Sequence, residues 1–191
     1  MSDTKETSTD AAEPADAVVQ PASPVLRDLL ARFAGHVLAV AEHRGDATAI
    51  VDRGALLEVC RHLRDDPACA FDMLLDVTAV DYLGRRPRFE VVYHLLSLER
   101  NERVRVKVPV EEEDAVVPSV VPVWAGADWL ERETFDLYGV RFDGHPNLKR
   151  IYLYEEFEGH PLRKDYPKEK RQPLIGPGAV RRDPMNDDLT R

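Results

Sequence analysis

The run Glu131-Arg132-Glu133-Thr134-Phe135-Asp136-Leu137-Tyr138-Gly139-Val140-Arg141-Phe142-Asp143-Gly144-His145-Pro146-Asn147-Leu148 decides how the chain is read. Trp129, Glu133 and Asp136 fall at i, i+4 and i+7, and Leu130, Thr134 and Leu137 share the neighbouring face. These are helical spacings, so aromatic, carboxylate and apolar groups project together from a helix pinned on one side and available on the other. Gly139 stands where a left-handed closing residue escapes the Cβ penalty. The chain then leaves in a new direction.

A turn follows and is written twice, as Phe142-Asp143-Gly144-His145-Pro146 and as Phe157-Glu158-Gly159-His160-Pro161. Glycine gives each copy conformational freedom, proline fixes φ, and the residue before proline is pushed toward extended geometry. Two similar reversals are therefore expected, each anchored by its aromatic.

Upstream, Pro24 begins a helical pattern with Val25, Leu26, Leu29, Leu30 and Phe33 on one stripe, ending near Gly35. His36 to Ala41 and Thr48 to Val51 read as a hairpin turning at Arg44-Gly45-Asp46. Leu56, Leu57, Cys60 and Leu63 give a second helix that starts near Asp52 and ends before Asp65-Asp66-Pro67. Three strands are predicted next. Phe71, Met73, Leu75 and Val77 alternate, Phe89 to Leu98 is apolar enough to be covered on both faces, and Val104 to Val110 alternates with charged residues. Trp124 is expected to open the helix that carries the signature, after a Val-rich connection between Pro118 and Pro122. Beyond Asn147 the chain should be irregular. The fold class is α+β: a mostly antiparallel sheet with helices packed on one face.

Residues 1–24 are rich in Ser, Thr, Ala, Pro, Asp and Glu and are expected to form a disordered acidic leader before a domain at 25–166. They lack the apolar core of a secretory signal and the Arg-rich character of a mitochondrial presequence. Residues 167–191, with four prolines, read as an extended tail that binds a partner. No apolar run reaches the length of a membrane span. A net charge of -9 argues against a general nucleic-acid binder.

Cys60 and Cys69 lie too far apart for a zinc knuckle or a CxxC pair, cannot supply four thiolates, and read as buried reduced thiols. His145, His160, Glu133, Asp136 and Asp165 are a conceivable ligand set, but no spacing fixes their geometry, and histidines beside proline are expected to bond backbone. No phosphate-binding glycine loop follows a strand. Asp128, Arg132 and Asp136 form either a solvated ion-pair ladder or part of an interface that Trp129, Phe135, Tyr138 and Arg141 would anchor.

The signature run, the later Glu158-Gly159-His160-Pro161-Leu162-Arg163-Lys164-Asp165-Tyr166-Pro167, and the upstream Asp76 to Tyr82 and Arg86 to Ser97 together resemble the 30 kDa subunit of respiratory complex I. The resemblance covers residues 25 to 167, with Asn147 and Lys149 where the family pattern has Asp and Arg, and with Glu155-Glu156 before the second turn. It implies a subunit of the hydrophilic arm of a proton-translocating NADH:quinone oxidoreductase, peripheral on the cytoplasmic side of a bacterial plasma membrane. Its closest contact would be the large subunit that carries the quinone site. It further implies that the chain has no catalytic residue, metal or cofactor of its own, with flavin and iron-sulfur clusters on partner subunits. The signature and contact residues it marks are Trp129, Glu131, Arg132, Glu133, Asp136, Tyr138, Gly139, Phe142, Gly144, His145, Pro146, Gly159, His160, Pro161, Arg163 and Lys164. Arg163 and Lys164 are expected as ion-pair donors across that contact. The module also resembles parts of membrane-bound hydrogenases and ferredoxin-fed quinone reductases, whose equivalent subunits stay open as alternatives, and a stand-alone metal-dependent hydrolase is the alternative from another class.

Overall fold

Pro24 occupies the first turn of α1 (Pro24–Arg32), where its missing N–H leaves no bond unmade, and Val25, Leu26 and Leu29 turn inward. The structure, a computed structural model, describes residues 21–172. Most of the leader expected over 1–24 and most of the tail expected over 167–191 therefore lie outside the described residues.

The predicted hairpin is present as β1 (Val37–His43) and β2 (Asp46–Val51). Arg44 and Gly45 both have positive φ, the conformation that lets a two-residue turn follow the twist of its strands. A single 3-10 turn at Arg53–Ala55, capped by the Asp52 carboxylate on the Gly54 N–H at 2.8 Å, leads into α2 (Leu56–Asp65). Three strands follow as a meander: β3 (Met73–Asp81), β4 (Phe89–Ser97) and β5 (Glu102–Val110).

One five-stranded sheet results, in the order β1-β2-β5-β4-β3. All its pairs are antiparallel except β2 with β5, which run parallel from Ala47 opposite Val104 to Ile50 opposite Lys107. Its buried face presents Ala49, Val51, Val106, Val108, Phe89, Val91 and Tyr93 to the core shared with the helices. Its other face carries Arg105 on Thr48 and Lys107 on Glu90.

Two strand expectations are corrected. Phe71 precedes β3, and an irregularity between Leu74 and Asp76 shifts the register, so Met73 and Leu75 are exposed while Val77 and Ala79 stay buried. An extra residue reverses which side chains face the core, and simple alternation fails across it. In β4 one face is fully buried, while the other is covered only in part, with Val92 buried and Glu90, His94 and Leu96 half-buried around it.

Trp124 does not open the signature helix. It sits in the preceding turn, buried, with its indole N–H donating to Phe71 O at 3.2 Å, and α3 runs Ala127–Tyr138. Two short strands, β6 (Val116–Pro118) and β7 (Arg141–Asp143), pair in parallel on either side of α3 in sequence, and neither carries an alternating pattern long enough to predict. After Asp143 the described chain continues as turns and bends.

Candidate functional site

The signature helix is bound at both ends by the repeated turn. In the first copy His145 reaches the start of α3, its Nε2 3.2 Å from Asp128 O, while its Nδ1 accepts the N–H of Asn147 at 3.0 Å. In the second, His160 Nδ1 donates to Asp136 O at 2.9 Å, and burial lowers the pKa of this ring and so favours its neutral form. Gly144 and Gly159 both have positive φ, which aims the two imidazoles back at the helix. The two carbonyls are eight residues apart, about 12 Å along the axis. The histidines are thus helix clamps bonded to backbone, as expected of histidines beside proline, rather than two ligands of one metal.

The C-terminal end is fully capped. An α-helix leaves its last carbonyls without partners, and here all four are taken. Phe135 O accepts from Gly139 N at 2.9 Å, Asp136 O from His160, Leu137 O from Leu162 N at 3.1 Å, and Tyr138 O from Arg163 Nε at 2.6 Å. The guanidinium of Arg163 also brings positive charge to the negative end of the helix dipole. Gly139 has φ 76°, as its predicted closing role requires, and a β-carbon there would meet His160 and Arg163.

Two carboxylates of α3 are buried and point in different directions. Glu131 accepts from Ser119 Oγ and Val120 N, each at 2.6 Å, and so ties the helix to the end of β6. Burial pushes its pKa up to about 7, against the opposing pull of those two hydrogen bonds. Asp136 is wholly buried. Its Oδ2 accepts the consecutive N–H groups of Ile151, Tyr152 and Leu153 at 3.0, 2.8 and 3.0 Å, and Arg150 Nη1 donates to Oδ1 at 3.2 Å. The solvated Asp128, Arg132 and Asp136 ladder is therefore absent. Arg132 is also buried, donating to Lys149 O at 3.2 Å and lying over the Trp129 ring. Thr134 Oγ1 is 3.0 Å from Val77 O, which fastens α3 to β3.

A second network, which no sequence spacing announces, locks residues 163–165 to the sheet. Arg88 makes a two-pronged pair with Asp81 at 2.8 and 2.9 Å, another with Asp165 at 2.8 and 3.1 Å, and a contact to Glu112 at 2.6 Å. Lys164 N donates to the same Asp81. The paired guanidinium holds the Asp81 and Asp165 carboxyls below the usual carboxylate range. Arg163, expected to reach a partner, is engaged within the chain: its guanidinium lies over Phe89.

What stays open is the outer side of α3. Trp129 and Tyr152 are 63% and 64% exposed. Glu133, one turn from Trp129, accepts the Tyr152 hydroxyl at 3.4 Å, so the three form one patch. Tyr138, Phe142, Pro146 and Pro161 serve the turns and core around it, and Phe142 is buried. Both cysteines are free, buried thiols, as expected.

Residues 49–172 match the model of the respiratory-chain NADH dehydrogenase 30 kDa subunit family. The chain belongs to that family. Among its relatives in the 30 kDa subunit family, an NADH-quinone oxidoreductase subunit from Citrifermentans bemidjiense is 48% identical over 76% of this chain and 90% of its own length. Its counterpart from Roseiflexus is 50% identical over 75% of this chain and 82% of its own length. Among solved structures, a trypsin-resistant fragment (1-134) of Nqo5 is similar with a TM-score of 0.57 and 35% identity, over 65% of this chain and 99% of the fragment. A chain of a membrane-bound sulfane sulfur reductase, an archaeal respiratory membrane complex, shares the fold alone, with a TM-score of 0.64 and 23% identity over 76% and 85% of the two chains.

Proposed function

We propose that this member of the 30 kDa subunit family is a non-catalytic subunit of a proton-translocating NADH:quinone oxidoreductase. It holds neighbouring redox subunits in position, and flavin and iron-sulfur clusters reside on those partners. The observation that carries the reading is the use made of the signature: Glu131, Asp136, His145 and His160 all bond groups of their own chain, while Trp129, Glu133 and Tyr152 face outward. Groups so engaged give shape to a surface, and large exposed aromatics are what partner contacts use as anchors.

The partner at this surface is the large subunit lining the quinone site. Attachment to the membrane runs through the complex, on the cytoplasmic side. No described helix is long and apolar enough to cross a bilayer.

The test is isolation of the tagged full-length chain from mildly solubilised membranes, with identification of what accompanies it. An NADH-binding flavoprotein in the same particle supports the reading. A nickel-containing partner points to a hydrogenase, and an unaccompanied monomer with activity of its own overturns the subunit role.

A further inference from the structure

Away from the signature helix, three elements bring a carboxylate, an imidazole and a thiol to one point. Asp28 comes from α1, His62 from α2, and Cys69 from the connection between α2 and β3. Asp28 Oδ2 is 2.5 Å from His62 Nε2, and Cys69 Sγ is 3.8 Å from the same oxygen and 4.0 Å from the same nitrogen. Among the described residues this is the one group of three such side chains whose donor atoms converge.

The spacing fits a tetrahedral cation. Zinc bound at about 2.3 Å to sulfur and about 2.0–2.1 Å to nitrogen or oxygen sets its ligand atoms roughly 3.3–3.6 Å apart. Both separations from the sulfur exceed this by only a few tenths of an ångström. The third is shorter because a proton fills that edge as a hydrogen bond. Widening it needs only a small swing of Asp28, whose side chain is 41% exposed, whereas His62 and Cys69 are buried and fixed.

The surroundings hold the ring as a ligand is held. The other ring nitrogen, Nδ1, faces Asp66 Oδ2 at 3.6 Å, the outer carboxylate that commonly orients a metal-binding imidazole. Asp66 is itself fixed by the loop: its Oδ1 accepts from Ala68 N at 2.8 Å, and its carbonyl accepts from Cys69 N and Ala70 N. These bonds turn Cys69 back toward α2.

We propose that Asp28, His62 and Cys69 form a site for one divalent cation of the zinc class, with water as the fourth ligand on the exposed side. The cation takes the thiolate, the Nε2 lone pair and one carboxylate oxygen. The thiol proton and the proton held between Nε2 and Asp28 are displaced to solvent, and the neutral ring carries its one hydrogen on Nδ1, toward Asp66. Mixed sulfur, nitrogen and oxygen donors of this kind suit zinc or cobalt better than calcium or magnesium. The ion ties α1 and the loop to α2 without carrying electrons, and the site is independent of the proposed subunit role.

The test is a titration of the reduced, chelator-treated full-length chain with cobalt(II) as the optical probe. One equivalent is expected to give the near-ultraviolet sulfur-to-cobalt band and the intense visible bands of a tetrahedral ion, both bleached by added zinc. Cys69→Ser is expected to lose the near-ultraviolet band and Cys60→Ser to keep it. Asp66→Asn, which leaves all three ligands in place, is expected to weaken cobalt binding about tenfold or more. No bands at saturating cobalt, or equal bands in Cys69→Ser and the parent chain, would overturn the proposal.

Discussion

His160 Nε2 lies 2.5 Å from the point a β-carbon on Gly139 would occupy, with Arg163 Nη2 at 2.7 Å from it. Both side chains cap carbonyls of α3, so neither yields without uncapping the helix. Gly139→Ala adds this clash to the cost of a positive φ. The expected loss is about 2–4 kcal/mol, read from urea unfolding. A midpoint equal to that of the parent chain would contradict the geometry.

Asp136 and Glu133 share a helix face in the sequence but are expected to respond differently to alanine. Asp136→Ala leaves three backbone donors and Arg150 without their acceptor, a loss of about 3 kcal/mol or more in the isolated chain. Glu133→Ala should leave the unfolding midpoint within about 0.5 kcal/mol. Both are expected to lower the amount of assembled enzyme while turnover per assembled particle stays constant. Lower turnover with assembly intact would call for a direct catalytic role.

Trp129→Ala and Tyr152→Ala test the outward patch. Each is expected to keep the melting temperature and to cost about 2 kcal/mol of partner binding, roughly thirtyfold in affinity. Reconstitution of the complex with increasing amounts of each variant reads this directly. Unchanged reconstitution would move the contact elsewhere on the surface.

Glu131 supplies a pH dependence with a definite sign. Its folded pKa, about 7, lies above its ordinary 4.5, so between these values the unfolded chain has released a proton that the folded chain still holds. Stability from this group is full below about 4.5 and falls as pH rises toward 7, by about 3 kcal/mol at most. Glu131→Gln should remove that slope. Chemical unfolding of both proteins at closely spaced pH values checks it, and parallel slopes would count against the burial argument.

Arg88 works at the acid end. Asp81 and Asp165 have lowered folded pKa values, so their contribution is present above about 3.8 and is lost as pH falls through the folded values. Arg88→Leu leaves the buried Asp81 unpaired and is expected to cost about 3–5 kcal/mol, with the more exposed Asp165 adding little. It also releases residues 163–165 from the sheet. Faster tryptic cleavage after Arg163 and Lys164 is the expected readout, and unchanged protection would refute the tether.

The residues that declared themselves in the sequence did so through local spacing. Gly139, the Arg44-Gly45 turn and the stripes of α1 and α2 needed only neighbours within a few positions. Helical spacing correctly grouped Trp129 with Glu133 and Asp136, but spacing does not say what covers a face. The backbone of residues 151–153 wraps over Asp136 and leaves Trp129 bare. Arg88 with Asp165, 77 residues apart, and Asp28 with His62, 34 apart, leave no periodic mark at all. The irregularity in β3 is invisible in the sequence because Phe71, Met73, Leu75 and Val77 alternate across it without a break.

The one parallel pairing within the five-stranded sheet also sets a timetable. β2 cannot find its neighbour until β5, more than fifty residues later, has left the ribosome, and parallel partners cannot be joined by a tight turn. The β3-β4-β5 meander, built from adjacent segments, is expected to form first, with the β1-β2 hairpin docking last as the slow step. A nascent chain whose β5 is still inside the ribosome would thus present an unpaired strand edge to chaperones, a vulnerability that ends once β5 emerges.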